Sequence, residues 1–146
     1  MKKHAVLSIF LILLFVMSLG FGSADLSMIY SFENGSLEEA SGSSDRVKLS
    51  SVSNVAYDGS YALKVENRVS SWDGCCIDLT YNVESDMDYQ VSCFVYQTSE
   101  RPQPFQLIAY IKDLAGERFE LIGETVAVPK VWKEIKGKLN FTYSGF

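Results

Sequence analysis

From residue 25 onward, polarity alternates every second residue in run after run, and no stretch keeps apolar residues at helical spacing. A period of two is the mark of a strand with one buried face, because successive side chains leave a pleated backbone on opposite sides. The alternation predicts strands over 28–32, 46–52, 61–68, 76–81, 89–96, 105–112, 119–126 and 132–140, separated by Gly, Asn, Asp and Ser. Short strands at this spacing give an all-β fold, a sandwich or jelly roll of two antiparallel sheets. Residues 141–146 open a further run and stop, so the sandwich reads as short of its C-terminal strand, with an unpaired edge exposed.

Alternation also assigns faces. Tyr61, Leu63 and Val65 form a core face opposite Ala62, Lys64 and Glu66, and Tyr89, Val91, Cys93 and Val95 oppose Gln90, Ser92, Phe94 and Tyr96. In the next strand Phe105, Leu107, Ala109 and Ile111 point inward, against Gln106, Ile108, Tyr110 and Lys112. The outer faces therefore mix rings with amides, hydroxyls and a lysine. Such a surface suits a sugar, whose C–H face stacks on an aromatic ring while its hydroxyls meet polar neighbours. A covering sheet or domain would explain the same residues.

The N-terminus reads as a secretory leader. Lys2 and Lys3 precede an apolar run over 5–19, and Gly22, Ser23 and Ala24 supply small residues for cleavage after Ala24. The run is shorter than the roughly 20 residues a membrane span needs, so the mature protein is expected in the extracellular medium and off the membrane. Cleavage divides the chain into a leader, 1–24, and one domain, 25–146. The domain is the right size for a single core, and is expected to act as a monomer. Losing Lys2 and Lys3 from 13 basic residues against 18 acidic ones leaves a formal charge of −7, which argues against nucleic acid or anionic lipid as partner. His4 is the only histidine and departs with the leader, removing histidine-dependent catalysis and histidine-ligated metal. Cys75, Cys76 and Cys93 are too few and too irregularly spaced for a disulfide framework or a metal site, and read as buried small hydrophobes, with a Cys75 to Cys93 bridge left open.

The most distinctive stretch is Ala56 to Thr80, AYDGSYALKVENRVSSWDGCCIDLT. Asp58-Gly59 and Asp73-Gly74 are tight-turn dipeptides, and a type I′ turn at the second would put Trp72 at a strand end. Together with Phe32-Glu33, Tyr89-Gln90-Val91-Ser92, the turn over 113–116 and Trp132-Lys133-Glu134-Ile135, this stretch resembles the family 22 carbohydrate-binding modules. These belong to the broader group of families 4, 9 and 22, which often accompany xylanases.

The resemblance implies a non-catalytic module binding xylan or a related β-glucan, the leading part of a secreted glycoside hydrolase such as an endo-xylanase. Trp72 falls where the family stacks a ring on a xylose unit, a contact worth about 2.5 kcal/mol for roughly 100 Å² buried. Phe119 falls where a second, sugar-contacting Tyr is common. Arg68 belongs to the Trp72 context, Tyr96 and Tyr110 are further platform rings, and Trp132 reads as structural. The segment 34–44 is the longest loop and lacks the aromatic and Arg of xylan-binding members, leaving Arg46 nearby. The resemblance also suggests a structural Ca²⁺ held by Glu33, Asp58 and Ser60, since calcium takes carboxylate, hydroxyl and carbonyl oxygens. Two alternatives compete. A glycosidase would need paired carboxylates, for which Glu117, Glu120 and Glu124 are nominal candidates; a spacer or adhesion sandwich would need no sugar contact, and exposure of Trp72 separates it from a binder.

Overall fold

The computed structural model describes residues 6–10, 15–18, 27–140 and 142, and contains no α-helix among them. In chain order the strands are β1 (Val6–Phe10), β2 (Phe15–Ser18), β3 (Ser27–Ile29), β4 (Ala40–Gly42), β5 (Lys48–Val52), β6 (Ala62–Glu66), β7 (Cys75–Asp78), β8 (Asp88–Val95), β9 (Gln103–Asp113), β10 (Gly116–Ala127) and β11 (Lys133–Asn140). One sheet runs β10-β9-β1-β7-β4, the second β11-β8-β2-β3, and β5 pairs with β6 in a small third sheet. All pairings are antiparallel.

Each strand expected from alternation is present, most within two residues of the expected ends. Three segments were missed. Residues 40–42 form a short edge strand against β7 inside the stretch read as a loop. β1 and β2 lie inside the expected leader, where β1 pairs with β7 and β9, and β2 with β3 and β8. The expected cleavage point after Ala24 lies outside the described residues.

The core fills the space between the two larger sheets. Cys75, Ile77, Leu107, Ala109 and Ile111 come from one, and Tyr89, Val91, Cys93, Val95, Ile135 and Leu139 from the other, with Phe32 and Leu63 closing the ends. Leu63, the Tyr89, Val91, Cys93 and Val95 set, and Leu107, Ala109 and Ile111 are inward as alternation assigned, whereas Tyr61 is only half-buried. Burying each larger aliphatic side chain contributes about 1.5–3 kcal/mol before the cost of ordering it.

At one side the two sheets meet directly. The β9–β10 register shifts between Leu121 and Gly123, and this bulge turns Ile122 into the core. Gly137 of β11 lies against the Ile122 carbonyl, and Gly123 faces Lys136 of β11. Neither position has room for a side chain, so β10 and β11 approach backbone to backbone.

Candidate functional site

The turn joining β6 to β7 carries Trp72, and its shape is dictated by the next residue. Asp73 is buried, with 4% of its surface exposed. Its Oδ2 accepts the amides of Val69 and Ser70, both at 2.8 Å. Its Oδ1 accepts the Ser44 hydroxyl at 3.2 Å and faces Arg46 Nη2 at 3.5 Å. The Ser70 and Val69 amides, aided by Arg46 and Ser44 against the opposing effect of burial, hold the carboxyl down at about 2. The expected type I′ turn does not form, because neither Asp73 nor Gly74 takes a positive φ; the carboxylate organises the reversal instead. From across the sheet, Ser43 Oγ donates to the Trp72 carbonyl at 3.2 Å and accepts the Gly74 amide at 2.8 Å. The 34–44 segment lacks an aromatic, yet its serines fasten the loop that carries one.

With its backbone fixed from both sides, Trp72 projects outward and is 58% exposed. Its ring centroid lies 5.6 Å from that of Phe119, and Phe119 lies 5.0 Å from Tyr110. Phe119 and Tyr110 are cross-strand partners on β10 and β9, so the sheet itself sets their spacing. Phe119 is 56% exposed, a surface ring rather than the core residue a strand-start Phe could equally have been. The three rings form an open aromatic platform on the outer face of the five-stranded sheet.

A polar edge borders the platform. The Tyr110 hydroxyl interacts with Glu117, which raises the tyrosine above its usual range. Glu117 is in turn held below the usual carboxylate range, first by Lys112 and then by Tyr110. This is the wrong direction for a general acid, whose carboxyl must be pushed up. Glu120 is paired with Arg118 at 3.1 Å, and Glu124 accepts from Gln106 at 3.2 Å. The nominal catalytic carboxylates are thus spent on surface pairs.

The structure separates the remaining candidates. Arg68 donates from Nε to the Asp73 carbonyl at 2.6 Å and lies over the Phe105 ring at 5.3 Å. With Arg46 on the Asp73 carboxylate, both arginines brace the Trp72 turn. Tyr96 does not join the platform; its ring neighbours Trp132 at 5.3 Å. Trp132, expected to be structural, stands outside the core cluster and meets Tyr57 edge-on at 5.8 Å. Tyr57 is stacked on Phe94 at 3.6 Å. Sequence reasoning missed Tyr57 and Phe94 as partners, and it missed Asp73 as the organiser of the turn. A buried carboxylate directly after an exposed tryptophan has no periodic signature.

Glu33, Asp58 and Ser60 do come together, at the turn before β6. Glu33 accepts the Ser60 amide at 3.0 Å and the Tyr61 amide at 3.1 Å. Asp58 turns back to the Gly59 amide at 2.9 Å. Backbone N–H groups thus meet both Glu33 oxygens and one Asp58 oxygen, whereas Ca²⁺ takes six to eight oxygen ligands. Among the described residues no three Asp, Glu, His or Cys side chains converge in a way that could hold a metal. Glu33 fastens the turn before β6, where Gly59 takes φ +69° and leaves no room for a Cβ beside the Glu33 carboxylate.

Comparison with known proteins places this geometry. The sequence pattern of a family described as a carbohydrate binding domain matches residues 25–145. Endo-1,4-beta-xylanase A of Thermotoga neapolitana is 44% identical over 118 residues, covering 81% of this chain and 11% of that enzyme. Its namesake from Thermotoga maritima is 43% identical over 128 residues, covering 88% of this chain and 12% of the enzyme. The chain therefore spans about a tenth of the length of these relatives. Among solved structures, the first family 22 xylan-binding domain of Paenibacillus barcinonensis Xyn10C superposes with a TM-score of 0.69 at 20% identity, covering 78% of this chain and 74% of that one. A family 22 and catalytic-module pair of a Clostridium thermocellum xylanase, complexed with xylohexaose, gives 0.66 at 24% identity, covering 71% and 21%. A β-sandwich with an outward aromatic platform, matched over residues 25–145 by that family pattern, belongs to the carbohydrate binding domain family.

Proposed function

We propose that this chain is a non-catalytic module that binds xylan and keeps an attached hydrolase close to its polysaccharide. The observation that carries the reading is the exposure of Trp72, 58%, beside Phe119 and Tyr110. A tryptophan face open to solvent on a braced turn has little to gain structurally, and it offers a flat apolar surface to the C–H face of a pyranose. The Tyr110, Glu117 and Lys112 edge supplies hydrogen-bond partners for ring hydroxyls. Tethering raises the effective concentration of an enzyme at its substrate without any chemistry in the tether. The relatives are named as endo-1,4-beta-xylanases many times longer than the stretch they share, which supports an endo-xylanase as the parent. A leader over residues 1–24 and extracellular action fit that reading, as does a monomeric module.

Affinity electrophoresis in soluble xylan tests it. The module should be retarded, and Trp72→Ala should cost about 2.5 kcal/mol, roughly a seventyfold loss, with the thermal unfolding midpoint unchanged. A folded module that migrates freely in xylan is a spacer.

A further inference from the structure

We propose that the sugar-binding surface continues beyond Trp72, over one end of the sandwich, to a second aromatic station formed by Tyr57 and Trp132, so that the module grips a long stretch of one linear polysaccharide. The inference rests on the reading of Trp72 as a sugar platform and extends it.

Three adjoining hollows define the path. A cavity of about 280 Å³ beside Trp72 is lined by Arg68 and Phe105. The same two residues line a larger hollow of about 640 Å³ that runs to Tyr96 and Trp132. Trp132 also lines a third, of about 150 Å³, at Tyr57 and Phe94. The shared lining residues place the three hollows side by side, from Trp72 past Trp132 to Tyr57. The chain contains two tryptophans: Trp72 stands at one end of this path, and Trp132 on the wall between the second and third hollows.

The second station is built like the first. Phe94 sits on the outer side of β8, whose inner side is the core. Tyr57 lies flat on it, 12° from parallel, and is itself 50% exposed. The outer face of Tyr57 is thus a rigid, level ring open to solvent, with Trp132 beside it at 67°. The middle of the path carries Ser71, Thr98 and Gln103, all exposed, whose hydroxyls and amide suit a sugar better than an apolar protein surface. No Asp or Glu side chain lines the large middle hollow. The two cations on its wall are already engaged, Lys64 with Glu66 at 2.6 Å and Arg68 with the Asp73 carbonyl at 2.6 Å; stacking rings along a trough without carboxylates fit a linear glycan, which has a ring face to offer at every unit.

Chain length is the discriminating variable. In Trp72→Phe the first ring is kept and Trp132 becomes the sole indole. Titration of this variant with xylohexaose should change Trp132 emission, and titration with xylotriose should not. In the otherwise unaltered protein, Tyr57→Ala should weaken xylohexaose binding about tenfold, the scale of one stacked ring, and leave xylotriose binding and the unfolding midpoint as they were. Equal affinities for the two lengths with silent Trp132 emission would overturn the extension while leaving the Trp72 platform standing. Binding of neither sugar by the unaltered protein would overturn the platform, and the extension with it. The emission measurement leaves Tyr57 in place, so it decides the matter even if Tyr57→Ala unfolds.

Discussion

Arg68 donates to the backbone carbonyl of Asp73 at 2.6 Å, which makes it a brace for the Trp72 turn. Arg68→Ala should therefore lower stability and affinity together: about 1 kcal/mol of unfolding free energy for a part-exposed charged hydrogen bond, plus a several-fold weaker hold on xylan. Trp72→Ala lowers affinity alone. Denaturant melts and affinity electrophoresis on both variants check the contrast; an Arg68→Ala protein of unaltered stability would return Arg68 to the sugar.

Asp73 gives the site an acid limit. Its carboxyl is depressed in the fold from an ordinary 3.8 to about 2, so the folded state prefers the charged form. The resulting stabilisation is complete above pH 4 and is lost as pH falls through about 2. Melting temperature should decline over that window, and Asp73→Asn should flatten the decline while lowering stability at neutral pH.

Phe119 lacks a hydroxyl that its neighbour Tyr110 has. Phe119→Tyr adds a donor at the exposed rim of the platform and should tighten xylan binding by about 1 kcal/mol, roughly fivefold. Calorimetric titration with a xylo-oligosaccharide measures it directly.

Gly137→Ala should be among the most damaging single changes. Its Cβ would drive into the Ile122 carbonyl, a backbone atom that cannot step aside as a side-chain tip could. A loss of about 3 kcal/mol is expected, read as a lower denaturation midpoint; the exposed Gly35, with no neighbour within 4 Å of an added Cβ, has no such clash.

Calcium is the fifth point of contact with experiment. Glu33 already receives the Ser60 and Tyr61 amides, so adding CaCl₂ or EDTA should leave the melting temperature where it was. A rise of several degrees with calcium would mean that the carboxylate abandons those amides for the ion. Glu33→Gln, by contrast, should destabilise the protein in either buffer.

Where the sequence could be read, it was through alternation. Val91, Cys93 and Val95 face inward because their strand has one wet side, and that signal survives in any order of strands. Trp72 was legible because a large apolar residue stands between Ser71 and Asp73, in a turn rather than a strand. What escaped depended on partners distant in the chain. Ser43 and Ser44 look like loop filler until Gly74 and Asp73, about thirty residues on, are seen to use them. Tyr57 lies outside any strand, so no period could announce its stack on Phe94. Arg68 was assigned to the ligand from its place in the Trp72 motif and Arg46 as the arginine left near the 34–44 loop; only the fold shows that both are directed at Asp73.

Val6–Phe10 lies between Gln103–Asp113 and Cys75–Asp78. A peptidase cutting after Ala24 would withdraw that thread and, with it, Phe15–Ser18 from between Asp88–Val95 and Ser27–Ile29. Two seams would then lie open, each bordered by amides and carbonyls ready to accept an extended peptide. Whatever stretch of polypeptide laced those seams would decide whether the shortened chain closes as one sandwich or stays as adhesive halves.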